Sequence, residues 1–518
     1  MTPLWLNDAT VPARLRLTPG LRFDTVVIGG GLTGLVTALL LAESGVEVAV
    51  VEGRRLGAGT TGATTGKISL LQGTRAQRIA ARHSDRTVAE YVEANRAGQQ
   101  WLLRYCEEHA LPVQRLPALT YAQTEDEIPA VRAELRATRA AGLDTYPVDD
   151  LDVPFPFHGA VGLADQAQLD PMALLAMLAA DVEAHAAPIF ESTIAHGVHH
   201  RDNDDLVIDT EHGELAARTI IVATGTPMLD RGGFFARLTA QRSYLTAFRV
   251  AEPIRREMFI SAGQPTRSLR YVPGRDGDLL LVGGNDHVVG RTGSTSRRVD
   301  DLAEWTRTWF PSAEPLQSWS AQDYHPIDEL PYAGPLLPGR ERILVATGYA
   351  KWGLTNGIAA ALALAGRING KPPRWSGALA TWRPAEVKAI PSAAQTNSAV
   401  ALRLSTGWLR MARSGYGPIP TEGCGRVERH GLQPTAVSTV DGKTTEVSAI
   451  CPHLYGIVRW NDAEKSWDCP LHGSRFAADG TLLDGPATAS LPLLSGPAVV
   501  PVTDPPRGGP STVFPEKI

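Results

Sequence analysis

A chain of 518 residues is longer than one hydrophobic core ordinarily organises, so two to four domains are expected. Hydrophobic residues at 43% and charged residues at 20% exclude wholesale disorder, and the abundant Gly (50) and Pro (38) follow no fibrous period. A formal charge of -5, with no basic stripe interleaved with aromatics, argues against a nucleic-acid partner.

The N-terminus, Met1-Thr2-Pro3-Leu4-Trp5, lacks a basic segment followed by an apolar one, so no signal peptide is expected. The apolar runs 35–42 and 358–365 are too short to span a bilayer, and no membrane span is expected. Four cysteines, at 106, 424, 451 and 469, make no disulfide framework. They fit a reducing cytoplasm in which thiols bind metals.

Residues 23–31, Phe-Asp-Thr-Val-Val-Ile-Gly-Gly-Gly, read as a buried parallel strand running into a tight turn. A helical pattern over 35–42 and a second strand over 46–52 follow. This strand–helix–strand unit carries Gly29-x-Gly31-x-x-Gly34, with Glu52 eighteen residues beyond Gly34. Gly29 permits the turn, Gly31 lets backbone approach a pyrophosphate, and Gly34 lets helix and strand pack closely. The helix N-terminus offers free N–H groups to phosphates, and Glu52 can accept from ribose hydroxyls. The unit predicts a dinucleotide site without choosing between FAD and NAD. Arg54-Arg55 reads as a solvated pair and not as a 2′-phosphate site.

Three later segments favour FAD. Residues 57–69, Gly-Ala-Gly-Thr-Thr-Gly-Ala-Thr-Thr-Gly-Lys-Ile-Ser, form a hydroxyl-rich loop containing Thr60, Thr61 and Lys67. Residues 219–225 are a strand ending in Ala223-Thr224-Gly225. Residues 343–348 form another strand ending at Gly348, leading through Gly353-Leu354-Thr355 into an Ala-rich helix. Residues 85–150 mix helical runs whose charged faces are expected to be solvated.

In that order, these motifs resemble the D-amino-acid-oxidase-like (DAO) family of FAD-dependent oxidoreductases over residues 20–380. The resemblance implies an α/β FAD-binding domain, Rossmann-like and of the glutathione-reductase type, with an interleaved α+β substrate domain. FAD-binding pieces are expected at about 20–80, 155–230 and 335–375, and substrate-domain pieces at about 85–150 and 237–335. Many relatives carry Ala where Gly66 stands before Lys67, a departure in the flavin cover. Some attach flavin through a cysteine in the later half of the FAD domain. The absence of Cys between 106 and 424 removes that linkage and leaves a histidyl link open.

Catalytic candidates in the expected substrate domain are Arg242, Tyr244, Arg270 and Tyr271, where an Arg–Tyr pair can clamp a carboxylate. Cross-strand packing is the competing explanation. His287, at a strand end, is a candidate acid or base or a turn cap. Lys351, with Trp352, precedes the last FAD helix and is expected near the flavin ring. A small-molecule substrate, an amine or amino acid, rests on the resemblance alone.

Residues 384–397 read as the connection between modules, with a linker at 391–400 closing an oxidoreductase unit of 1–390. Val400, Leu404, Trp408 and Met411 then recur near helical spacing, with a strand as the alternative. Further on, Cys451-x-His453 and Cys469-x-x-His472 are separated by fifteen residues. Each arm offers one thiolate and one imidazole. Zinc fingers usually group two Cys on one arm and two His on the other. Mixed arms suit a two-iron cluster, with two thiolates on one iron and two imidazoles on the other. Pro452, Gly456, Pro470 and Gly473 support tight loops around it.

The segment resembles Rieske [2Fe-2S] domains over residues 401–503, which implies an all-β module, with a tail at 504–518. Respiratory members carry an extra Cys on each loop, absent here, so no loop-bridging disulfide forms. Ser474 stands where family members often donate a hydroxyl hydrogen bond to a cluster sulfur.

FAD exchanges two electrons with an organic substrate and a Rieske cluster carries one at a time. The expected function is a dehydrogenase passing electrons from FAD through the cluster to an external acceptor. The alternatives are reverse flow from a ferredoxin-like donor and an electron-transfer or redox-sensing protein without turnover.

Overall fold

In a computed structural model of the chain, the structure describes residues 1–7, 12–201, 205–274, 277–384, 386 and 390–499. The predicted tail at 504–518 lies outside the described residues.

The first strand, Arg22–Ile28, is buried along Val26, Val27 and Ile28, as a parallel strand covered on both faces must be. It pairs in parallel with Val48–Val51 on one side and Gly213–Val222 on the other. Arg340–Thr347 and Ile189–Phe190 extend the parallel core, Tyr332–Leu337 closes one edge antiparallel, and a meander of Ala195–His200 and Leu206–Thr210 completes eight strands. Helices Leu32–Glu43 and Gly353–Ile368 pack on one face, both nearly all buried.

A second, nine-stranded sheet is mainly antiparallel and runs in the order 314–326, 238–249, 279–288, 267–272, 258–261, 113–121, 160–169, 67–68, with 146–148 beside 160–169. Helices Asp85–Glu108, Ile128–Ala140 and Ser296–Trp309 accompany it. The expected division needs one correction. Ala160–Leu169 and Lys67–Ile68, expected among the FAD-binding pieces, are strands of this second sheet, where they pair with each other and Ala160–Leu169 also pairs with Val113–Tyr121.

The segment that left helix and strand open is helical. The helix Ile390–Arg413 also takes in the expected linker at 391–400. Val400, Leu404 and Trp408 pack on the core of the last domain, so the connection is a helix docked on what it connects. That domain is two four-stranded antiparallel sheets, 425–430, 433–440, 443–448, 493–499 and 459–461, 466–468, 475–477, 482–484. Among the described residues, no helix is long and apolar enough to cross a membrane.

Candidate functional site

A cavity of about 360 Å³ opens where the parallel sheet meets the nine-stranded one. Gly29, Gly30 and Gly31 form one wall, at the C-terminal end of the first strand. Gly29 has φ +113, and a Cβ there would come 2.5 Å from the Ala223 carbonyl oxygen. Gly34 does not line the cavity. A side chain there would fall on the Gly29 carbonyl, so its role is the close helix–turn packing predicted for it. The Glu52 carboxylate accepts from the backbone N–H of Gly30 and of Arg54, each at 2.8 Å, and faces the cavity.

The hydroxyl-rich loop is folded over this turn. Thr61 accepts from the Leu32 N–H at 3.2 Å, and Thr60 donates to the Gln322 carbonyl at 2.6 Å. Both line the cavity, as do Ala223, Thr224 and Gly225 from the turn after the strand Gly213–Val222. Gly348, Gly353 and Leu354 supply the wall at the N-terminus of the helix Gly353–Ile368. Thr355 does not line it. Its hydroxyl donates to Asn95 at 2.7 Å and accepts from Gln72 at 3.1 Å, which makes it a helix-packing residue. The glycine cradle, the helix N-termini and Glu52 fit a dinucleotide of FAD's kind.

Gly66 explains its own departure from the family pattern. Its φ is +74, and a Cβ would strike the Leu169 carbonyl, so alanine does not fit this turn. The turn delivers Lys67 into the cavity wall, where its ammonium donates to the Phe259 carbonyl and Ser268 hydroxyl, both at 2.7 Å. Burial, aided by the nearby Arg270 charge, pushes Lys67 down to about 7. Arg270 is itself buried under the Trp5 ring, 5.1 Å away, and burial pushes it down to about 9.

The other catalytic candidates separate. Tyr244 lines the cavity and stacks on His287 at 5.6 Å. Lys351 lines it too, paired with Asp286 at 3.2 Å. His287 lies outside the lining, and neither of its ring nitrogens has a partner among the described residues. Burial, with Arg298 nearby, pushes it down to about 4. Tyr271 packs against the Arg256 guanidinium at 4.1 Å, away from the lining.

Arg242 is no free carboxylate clamp. Its guanidinium forks onto Glu464 of the last domain, with Nε 2.5 Å from one carboxylate oxygen. Burial opposes ionisation of Glu464, but Arg242 and Arg475 outweigh it and hold the carboxyl well below its ordinary range.

Sequence reading missed Asp323, Tyr324 and Tyr349, which also line the cavity. Burial pushes Asp323 up to about 6, and Tyr349 shares a hydrogen bond of 3.0 Å with Thr33 of the glycine turn. The strand ending near Thr347 was legible; the turn that carries Tyr349 inward was not. Arg54 was also misread as solvated. It reaches Asp484 of the last domain at 3.5 Å.

The four predicted cluster ligands converge. Cys451 and Cys469 are buried free thiols, and the His453 and His472 rings are edge to face with centroids 5.1 Å apart. The neighbouring Cys469 sulfur, the N–H groups of His453 and Leu454, and the Ser474 hydroxyl all favour the thiolate of Cys451. His472 Nδ1 is buried with no partner among the described residues, and His453 Nε2 is taken by Asp230 at 2.6 Å, which leaves its Nδ1. Two thiolates and two imidazole nitrogens in one pocket fit a two-iron cluster of the Rieske kind. Cys424 is exposed, outside both arms.

This ligand pocket faces the oxidoreductase part of the chain, meeting both the segment after the strand Gly213–Val222 and the nine-stranded sheet. The Phe235 ring lies 5.3 Å from His472 and 5.9 Å from His453. Arg291 donates to the Pro470 carbonyl at 2.8 Å, and Gln322, a cavity residue, donates to the Gly473 carbonyl at 2.8 Å.

Residues 24–367 match the FAD dependent oxidoreductase (DAO) family, and residues 419–495 match the Rieske [2Fe-2S] domain. The chain is 28% identical over 491 residues, 94% of this chain and 96% of the relative, to the "Putative Rieske 2Fe-2S iron-sulfur protein YhfW" of Bacillus subtilis (strain 168). A segment of 74 residues is 40% identical to the cytochrome b6-f complex iron-sulfur subunit of Synechococcus sp. (strain JA-3-3Ab), covering 14% of this chain and 43% of that one. Glycine oxidase from Geobacillus kaustophilus shares the fold with a TM-score of 0.60 at 20% identity, over 70% of this chain and 99% of that one. L-proline dehydrogenase from P. horikoshii does so at 0.56 and 18% identity, over 71% and 96%.

Proposed function

Because the chain belongs to the FAD dependent oxidoreductase (DAO) family and carries a Rieske [2Fe-2S] domain behind it, we propose that it is a dehydrogenase that oxidises a small amine or amino acid and sends the electrons through the cluster to an external acceptor. FAD supplies two-electron oxidation of an organic substrate, and the cluster supplies one-electron carriage. The substrate class follows, by fold-level analogy, the glycine oxidase and L-proline dehydrogenase among the structural neighbours.

The observation that carries the reading is the direction in which the cluster ligands face. His453 and His472 meet Asp230 and Phe235, which continue the segment whose Thr224–Thr226 and Met228 line the dinucleotide cavity. A cluster serving an outside partner alone gains nothing from that placement. One serving the flavin needs it.

On the substrate side, an ammonium at Lys67 has three donors, of which two are engaged by Phe259 and Ser268. The third is available to the cavity. With its pKa brought to about 7, Lys67 can hold or release a proton near neutrality, as oxidation of an ammonium substrate requires. Asp323, raised to about 6, offers a second proton-holding carboxyl in the cavity wall.

Anaerobic mixing with a panel of amines and amino acids tests the reading. Flavin bleaching by a panel member, followed by the reduced-cluster signal in electron paramagnetic resonance (EPR), is the expected result. Silence across the panel, with rapid reduction by a ferredoxin-like donor, overturns the proposed direction of flow.

A further inference from the structure

The FAD-binding sheet does not close the dinucleotide cavity by itself. Residues 482–485, 487 and 488, all from the Rieske domain, line it as well. They comprise the strand Leu482–Asp484 and the turn after it. Within that lining the segment stands beside Glu52: Asp484 lies 3.5 Å from Arg54, whose backbone N–H donates to the Glu52 carboxylate at 2.8 Å. Glu52 ends the second strand of the nucleotide unit, where an acid receives the adenosine ribose. That end of the cavity is therefore the adenosine end.

We infer that segment 482–488 of the Rieske domain is part of the FAD site and closes over the adenosine half, with Leu483 as its apolar contact and Asp484 fixing Arg54. The inference holds for either direction of electron flow, because it concerns how the cofactor is held.

Leu483 carries the argument. Successive residues of a strand point to opposite faces. Leu482 packs on the Rieske core, whereas Leu483 is half-buried yet belongs to none of the hydrophobic clusters formed among the described residues. An apolar side chain without a core partner, at the wall of a cavity, is what a flat aromatic base covers. Asp484 lies 3.5 Å from Arg54 and 3.1 Å from Arg475. Burial opposes its ionisation, but Arg54, Arg475 and Arg242 outweigh this and keep it a carboxylate.

The segment is pinned on both sides. His196 meets the Thr488 carbonyl at 2.7 Å on the FAD-binding side. On the cluster side, the Ala487 N–H donates to the Ser474 hydroxyl oxygen at 3.0 Å, and that hydroxyl also contacts the Cys451 thiol. One turn thus touches both cofactor sites.

The test uses the full-length chain, stripped of FAD, with rebinding of FAD and of ADP as probes. ADP carries only the half that segment 482–488 covers. Leu483→Ala is expected to weaken both probes by about tenfold, leaving iron content and the cluster EPR signal unchanged. Asp484→Asn is expected to weaken both by a smaller factor. Iron content and signal also report whether the Rieske domain is intact. If Asp484→Asn loses its iron, Leu483→Ala alone decides, since Leu483 takes no part in the Rieske core. FAD and ADP affinities within twofold of the parent protein in Leu483→Ala would overturn the inference. So would a loss for FAD that ADP does not share.

Discussion

His453 Nε2 lies 2.6 Å from Asp230 Oδ1, so a ligand loop of the Rieske domain is hydrogen-bonded directly to the FAD-binding domain. A carboxylate at that place opposes the arrival of an electron, because the reduced cluster is more negative than the oxidised one. Asp230→Asn should therefore raise the cluster midpoint potential, on the order of tens of millivolts for a half-exposed charge. An EPR-monitored redox titration reads this; a fall, or no shift, counts against it.

Ser474 acts with the opposite sign. Its hydroxyl sits at the Cys451 sulfur, where a donated hydrogen bond stabilises the reduced state. Ser474→Ala should lower the midpoint in the same titration. The variant also removes the acceptor of the Ala487 N–H, so flavin retention is worth following alongside.

Arg242 and Glu464 join the two domains through a buried, forked ion pair with side chains 6% and 10% exposed. Removing one partner leaves the other charge buried. Arg475 still touches Glu464 at 2.8 Å and softens the loss. Arg242→Ala should destabilise the chain by about 2–4 kcal/mol, and thermal unfolding followed by both flavin and cluster signals should then resolve into two steps. A single unchanged transition would contradict the interdomain role.

His287 sets an acid limit. Burial holds it neutral to about pH 4 in the folded chain, against an ordinary 6.5 when unfolded. Between those values the unfolded chain takes up a proton that the folded one refuses. Stability therefore falls as pH drops through that window, and the penalty is complete below pH 4. His287→Phe should flatten the fall, recovering on the order of 3 kcal/mol at pH 4. Denaturant titrations from pH 4 to 7 decide it; parallel curves for both proteins would show that other groups govern the acid limb.

The legible parts of the sequence are those whose chemistry is local. The cluster arms hold their ligands two and three residues apart, and the glycine turn needs only strand, turn, helix and Glu52. Long-range pairing was not legible. Residues 160–169, expected within an FAD-binding piece, join the second sheet because Val113–Tyr121 pairs with them. Arg242 looks like a substrate clamp until Glu464, 222 residues away, is brought onto it. Thr355 fits a cofactor motif but faces Asn95 across a helix pair. The expected connection at 391–400 is the first part of a helix that docks on the Rieske core through Val400, Leu404 and Trp408, contacts that lie far along the chain from it.

Electron flow between the two cofactor sites within one chain is the central claim, and rapid-freeze EPR after anaerobic photoreduction of the flavin tests it most directly, over a tenfold range of protein concentration. The account predicts a reduced-cluster signal that rises in a first-order step with a rate independent of concentration. A rate that scales with protein concentration, or a cluster left oxidised beside a reduced flavin, would contradict it.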